Sequence, residues 1–296
     1  MDQLSLRRYE GVLSSIALVT TWSSGFIGAE LGVRAGSTPL TLLSWRMLVL
    51  AMALIALVLL TRTPWPSITS WRRQSIIATF SQAGYLYFIF AGVHDGVHGG
   101  TASLIASLQP LLVATVAGRL LGEHPSRRTW IGMVLGFVGV ATVVSGEIGA
   151  GVAALSAYAL PLFGMLSLTT GTVLTRRLHP TETLLQSIMI QAITTAVIMN
   201  VAAAIFGQSA PTPNADFWRA VAWMVLLPSL GGYVMYMFVT RTLGATVVST
   251  LLYLTPPTTM AWVWLMFGEP ITATGIVGLV ISAIGVRTVL NVRSGS

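Results

Sequence analysis

Residues 101–140 read TASLIASLQPLLVATVAGRLLGEHPSRRTWIGMVLGFVGV, and residues 247–286 read VVSTLLYLTPPTTMAWVWLMFGEPITATGIVGLVISAIGV. A shift of 146 positions lays one on the other: Ser103 falls on Ser249, Leu108 on Leu254, Pro110 on Pro256, Gly122 on Gly268, Glu123 on Glu269, Gly132 on Gly278, Gly139 on Gly285 and Val140 on Val286. The same shift carries Gly25 onto Gly171. Matching leucines and valines are expected between any two apolar segments. A matching proline, a matching Gly-Glu pair and two glycines at one spacing are not, so the chain reads as two copies of one unit, 1–147 and 148–296.

Working outward, the solvent for these units is lipid. Of 296 residues, 54% are hydrophobic and 8% charged, whereas about a quarter of a soluble protein is charged. Crossing roughly 30 Å of hydrocarbon takes about 20 apolar residues as a helix. Ten stretches qualify: Val12 to Val33, Leu40 to Leu60, Gln74 to Val93, Thr101 to Leu121 and Thr129 to Ser145 in the first unit, then Val152 to Thr175, Thr181 to Phe206, Phe217 to Thr240, Ala245 to Phe267 and Ile271 to Leu290 in the second. Short connections carry breakers such as Pro64 with Pro66, Pro180, and Pro211 with Pro213, leaving no room for a soluble domain. The first stretch is too long for a signal peptide and no small-residue cleavage site follows it, so it reads as a true span.

All 16 basic residues are arginine. With the N-terminus inside, 13 of them fall on the cytoplasmic side and only Arg34 and Arg219 outside, which the positive-inside rule favours. Both termini are then cytoplasmic in a bacterial-type inner membrane, and no basic stripe points to nucleic acid. The partners expected are the bilayer and a small-molecule substrate, with no oligomer required. Without cysteine there is no disulfide, thiolate nucleophile or sulfur metal site. His94 and His98 flank Asp95, too few ligands for a metal centre, and no cofactor is implied. An acid pair, Ser-His set or metal cluster at depth, as a membrane-embedded enzyme needs, is not visible either. Five spans per unit put the second copy upside down relative to the first, an inverted repeat of the kind that places a transporter's site near the midplane.

The segment from Gly100 to Val143, recurring as Thr246 to Val289, resembles the double EamA-type domain of the drug/metabolite transporter superfamily. The resemblance covers nearly the whole chain. Within the superfamily the chain looks most like YddG-type exporters of aromatic and other neutral amino acids, which implies ten helices and amino-acid export.

The polar groups suited to a binding site are uncharged. Ser103, Ser107 and Pro110 share one face at i, i+4, i+7 spacing, and the repeat places Ser249, Tyr253 and Pro256 on the equivalent face. Thr20, Ser24, Gln82, Tyr85, Tyr158, Gln191 and Tyr233 complete a substrate-binding set of hydroxyl, amide and aromatic groups. For any single one, helix-to-helix hydrogen bonding is the competing explanation. Pro110, Pro256 and Pro257 are the hinge candidates, since each removes a backbone donor inside a span. Gly132 and Gly136 read as packing points. Glu123 and Glu269 read as helix N-terminal caps. Arg46 reads as lying toward the outer end of its helix, paired with Glu30 or reaching water, with a clamp on a substrate carboxylate as the alternative. Every acid falls near a helix end, so no buried carboxylate is expected to carry a proton.

The expectation is therefore an alternating-access exporter of small neutral or zwitterionic solutes, without proton coupling. Exporters of nucleosides or amphiphiles, and a channel, are the alternatives.

Overall fold

The computed structural model describes residues 3–113, 127–244, 247–248 and 251–293. Of the expected residues, Ser249, Gly122 and Glu123 lie outside them. Among the described residues the chain is all helical.

Helix α1 spans Gln3–Arg34 and α2 Pro39–Leu60. Thr38 caps α2 by accepting from the Thr41 amide at 3.3 Å, and Pro39 occupies the first position, where a missing N–H costs nothing. Helix α3 is Ile68–His94, begun by the Ser67 side chain on the Ser70 amide. Helix α4 is Gly99–Val113, α5 Arg127–Gly149 and α6 Leu155–Leu178. Helix α7 is Leu184–Ile205, opened by a reciprocal capping box between Thr183 and Gln186. Helices α8, Ala215–Leu243, α9, Thr255–Phe267, and α10, Ala273–Arg293, complete the chain. In hydrocarbon every backbone group must be satisfied within the protein, which is why the apolar runs are helices. Seven of them are long and apolar enough to cross a membrane, and α4 with the Ala273–Gly285 part of α10 are shorter apolar helices. Large apolar side chains such as Leu59, Leu60, Val201, Ile205 and Leu265 point outward, as lipid-facing groups of a multi-pass membrane protein do.

The two units use the same contacts. Helix α5 runs antiparallel along α10. A Cβ added at Gly139 would meet the Gly278 carbonyl oxygen at 2.5 Å, and one at Gly285 would meet that of Gly132 at 2.6 Å. Gly139 and Gly285 are repeat equivalents, as are Gly132 and Gly278, so each partner swaps places with its own copy. Between these contacts Ser282 Oγ donates to the carbonyl of Gly136, its own equivalent, at 3.3 Å. Between the units, α3 of the first meets α6 of the second where Ser81 packs on Gly171; the corresponding meeting of α1 with α8 has Gly25 under Pro228.

Irregular turns also recur at equivalent places. Helix α3 passes through a π-helical turn at Thr79–Gly84, and α8 through one at Val225–Gly231 that contains Pro228. Helix α4 breaks after Ala106, at Ser107 and Leu108; in the second unit a 3-10 turn at Leu252–Leu254 precedes α9. A π turn leaves carbonyls and amides out of the regular ladder and is frequent at functional sites.

Candidate functional site

The two π turns flank a cavity of about 280 Å³ at the middle of the helices. Trp22 and Phe26 of α1, Arg46 and Leu50 of α2, and Ser81, Gln82 and Tyr85 of α3 form one side. Leu168 of α6, Gln191 of α7 and Ser229 and Tyr233 of α8 form the other. Both units therefore contribute, and among these lining residues no side chain is acidic.

Three of the polar lining residues, Gln82, Gln191 and Tyr233, belong to one chain of hydrogen bonds. Gln82 Nε2 donates to Tyr233 Oη at 2.7 Å and to Gln191 Oε1 at 3.4 Å. Gln191 Nε2 donates to Gln74 Oε1 at 2.8 Å. Gln74 Nε2 donates in turn to Ser187 Oγ at 3.2 Å and to Glu182 Oε2 at 3.4 Å. Glutamine serves here because one side chain both donates and accepts, so amides link in series without a net charge. Tyr233 spends an oxygen lone pair on Gln82 and keeps its own O–H for another partner.

Arg46 is the unexpected member. It does not pair with Glu30: the Glu30 carboxylate accepts the Gly99 amide at 3.0 Å, at the Arg34 end of α1, while the guanidinium turns toward the cavity. The expectation of an Arg46–Glu30 pair is thereby corrected, because a close backbone donor already holds Glu30. Arg46 is 6% exposed. Its Nη2 donates to Ser229 Oγ at 3.3 Å, its guanidinium lies 5.8 Å from the Phe90 ring centre, and Nε and Nη1 have no hydrogen-bond partner.

Of the other expected residues, six among the described ones lie outside the cavity lining: Thr20, Ser24, Ser103, Ser107, Tyr158 and Tyr253. Ser24 donates to the Thr21 carbonyl at 2.6 Å, Ser103 to Gly100 at 2.7 Å and Ser107 to Leu104 at 2.6 Å, each within its own helix. Thr20 is half-buried on α1, outside the lining. Tyr253 packs half-buried against the core. Pro110 is exposed, whereas Pro256 is buried and Pro257 half-buried in the first turn of α9. The two chain breaks lie just before these prolines.

Tyr158 belongs to a second polar group, at the Arg34 end. Its hydroxyl donates to Glu147 Oε2 at 2.8 Å, and Thr101 donates to Glu147 Oε1. His98 Nδ1 lies 3.1 Å from Glu147 Oε1 and its Nε2 3.8 Å from Glu269 Oε2; Arg34 reaches Glu269 Oε1 at 3.8 Å. The hydrogen bond to Glu147 holds the His98 imidazole above its ordinary value, against the opposing effect of burial. Burial likewise raises the Glu269 carboxyl, with His98 and Arg34 pulling the other way. Glu269 is therefore an ion-pair residue rather than a cap; the Thr272 hydroxyl accepts the Gly275 amide and caps α10. Glu30 and Glu147 are 7% and 5% exposed, so the expectation that the chain buries no carboxylate is corrected. Burial is tolerated because a backbone amide, two hydroxyls and an imidazole solvate the two groups in place of water. His94 sits on Asp95 at 3.3 Å, exposed, and no group suited to a metal ion occurs among the described residues.

For Arg46 the sequence reading favoured a pair with Glu30 or a reach to water over the cavity; Trp22 and the two π turns were missed, and nothing in the local sequence announces the turns.

The sequence matches the EamA-like transporter family twice, over residues 10–145 and 155–291. It is 25% identical to the uncharacterized transporter YdfC of Bacillus subtilis (strain 168), over 93% of this chain and 89% of that protein. It is 23% identical to the uncharacterized inner membrane transporter YedA of Escherichia coli (strain K12), over 81% of this chain and 77% of that one. One solved crystal structure superposes with a TM-score of 0.63 at 20% identity, covering 97% of this chain and 99% of the other, which establishes a shared fold.

Proposed function

The chain belongs to the EamA-like transporter family, and from that premise we propose that it exports small neutral or zwitterionic solutes, amino acids with aromatic side chains among them, by alternating access to the central cavity. The observation that carries this reading is the cavity itself, walled by both units at mid-helix. Its ≈ 280 Å³ lies just below the roughly 300–1,000 Å³ typical of drug-sized ligands, which favours a solute of amino-acid size over a large amphiphile. Its wall of Gln82, Gln191, Tyr85 and Tyr233 suits a polar headgroup, and Trp22, Phe26 and Leu50 suit an apolar body.

Ten spans in two inverted units complete the proposal. The support is the antiparallel α5–α10 pair, in which repeat-equivalent glycines exchange partners as they do about a two-fold axis perpendicular to both helices. Such an axis in the membrane plane gives inward-open and outward-open arrangements of similar energy. Arginine placement puts both termini in the cytoplasm of a bacterial inner membrane, and one chain supplies the whole cavity, so a monomer suffices. Because no acid among the described residues lines the cavity, solute passage needs no proton exchange there. Uptake of labelled phenylalanine and other single amino acids into liposomes holding the purified protein tests this: saturable, counterflow-competent transport without an imposed pH gradient is expected. Obligatory dependence on the gradient would defeat the uncoupled mechanism, and absence of saturation would favour a channel.

A further inference from the structure

We infer that Arg46 is the anchor for a carboxylate on the transported solute, and that the solutes accepted are organic carboxylates with an apolar or aromatic body, whether or not they also carry an ammonium group. The inference rests on the reading of the cavity as the transport site; within it, zwitterionic amino acids keep their place, neutral solutes without a carboxylate lose theirs, and monoanionic acids are added.

An ionised side chain within a membrane-spanning helix is costly, and the cost persists unless a partner offsets it. Arg46 has almost no partner. A guanidinium offers five N–H donors in a planar fork; here one nitrogen holds a long bond to a serine hydroxyl, and two are unbonded. That serine gives its proton to the Met224 carbonyl at 2.9 Å across the π turn and offers the guanidinium only a neutral acceptor, with no counter-charge. Glu30 is held by Gly99, and no acid lines the cavity among the described residues. The protein therefore presents one net positive charge to a mostly apolar cavity and, among the described residues, keeps no counter-charge lining it. A carboxylate supplies both missing features, an opposite charge and two oxygens that match the fork side by side. The two unbonded nitrogens are buried, so the fork presents both to a carboxylate only once the side chain turns further toward the cavity.

The same inventory says what the site does not require. An ammonium group would find hydroxyls, amide oxygens and the faces of Trp22, Tyr85 and Tyr233, but no carboxylate. Occupied by a monoanion, the cavity becomes neutral; occupied by an amine, it holds two positive charges. Neutral amides and amines are thus disfavoured relative to the matched acids, and nucleosides lack the group the site is short of.

The test uses the full chain, whose lack of cysteine allows clean labelling of one introduced thiol. Leu168→Cys places that thiol in the cavity wall. Protection from a membrane-impermeant thiol reagent is measured against 3-phenylpropanoate, phenylalanine, 3-phenylpropanamide and phenylalaninamide. The two acids are expected to protect at concentrations at least about 10-fold below their amides, as loss of one charge-assisted hydrogen-bonded pair implies. Arg46→Gln is expected to weaken protection by the acids roughly 10- to 100-fold and leave the amides unchanged, with Arg46→Lys in between. Should Arg46→Gln not fold, Ser229→Ala serves: it removes the one bond the guanidinium has, and acids are then expected to raise the melting temperature more than in the unmodified chain. Amides that protect as well as their acids, or acids that fail to protect at all, overturn the inference. The carrier reading has its own readout in the same samples: it fails if the thiol is reached from one face of the membrane only.

Discussion

Replacing Gln82 by leucine tests the hydrogen-bond chain that shapes the cavity wall. Leucine is close in volume but deletes the amide and ends one bond short of it, so the bond of 2.7 Å to Tyr233 and the weaker one of 3.4 Å to Gln191 both disappear. Side-chain hydrogen bonds between membrane helices average about 0.6 kcal/mol and reach about 1.7. One short and one long bond therefore come to roughly 1–2 kcal/mol, part of it the cost of leaving Gln191 Oε1 without a donor. Tyr233→Phe removes the Tyr233 end of the stronger bond alone. The two changes share that contact, so the double variant should lose less than the sum of the singles, by about 0.5–1 kcal/mol. Thermal unfolding of the four proteins in one detergent, followed by loss of the monodisperse chromatographic peak, supplies the comparison. The Gln82 variants should also change which solutes the liposomes take up. Strict additivity of the stabilities, together with unaltered solute selection, would refute the claim that this pair builds the site.

Protonation of His98 should stabilise the Arg34 end of the molecule. Its folded value is raised, chiefly by Glu147, so the contribution is complete below the ordinary imidazole value of about 6.5 and is lost as pH climbs through the raised one. Glu269, also raised, acts in the same direction at lower pH, and Glu30 faces both. Melting temperature should accordingly fall from about pH 5.5 to 8, and His98→Ala should flatten that fall; a profile unchanged by the substitution would remove His98 as its source. Gly278→Val drives a branched side chain into Gly139 and Val143 of α5. Overpacking of this kind costs about 1–3 kcal/mol, and a variant that melts with the parent chain would show that the two helices separate freely. Pro256→Ala restores a backbone donor in the first turn of α9, next to the 3-10 turn. If that break is a hinge, the turnover rate should change while solute affinity measured by cysteine protection stays within about twofold.

Much of the architecture is legible along the chain because lipid imposes it locally. An apolar run of helical length has one way to satisfy its backbone in hydrocarbon, and α1, α2, α3, α5, α6, α7 and α8 answer to that rule one at a time. The duplication is equally legible, since Pro110 with Pro256 and Gly139 with Gly285 announce themselves by spacing alone. Which polar groups meet is another matter. Gln82, Tyr85, Gln191 and Tyr233 share a cavity, while Ser24, Ser103 and Ser107, chosen on the same grounds, turn back on the carbonyls of their own helices. A serine on a helix always has a carbonyl within reach one turn earlier, so its local option competes with the cavity, whereas a glutamine or tyrosine reaches past its own backbone to a neighbour. Arg46 shows the same limit from the other side. Its charge is evident from position, but that it bonds only the Ser229 hydroxyl, with two nitrogens left over while Glu30 goes to the Gly99 amide, exists only once α1, α2, α4 and α8 have packed together.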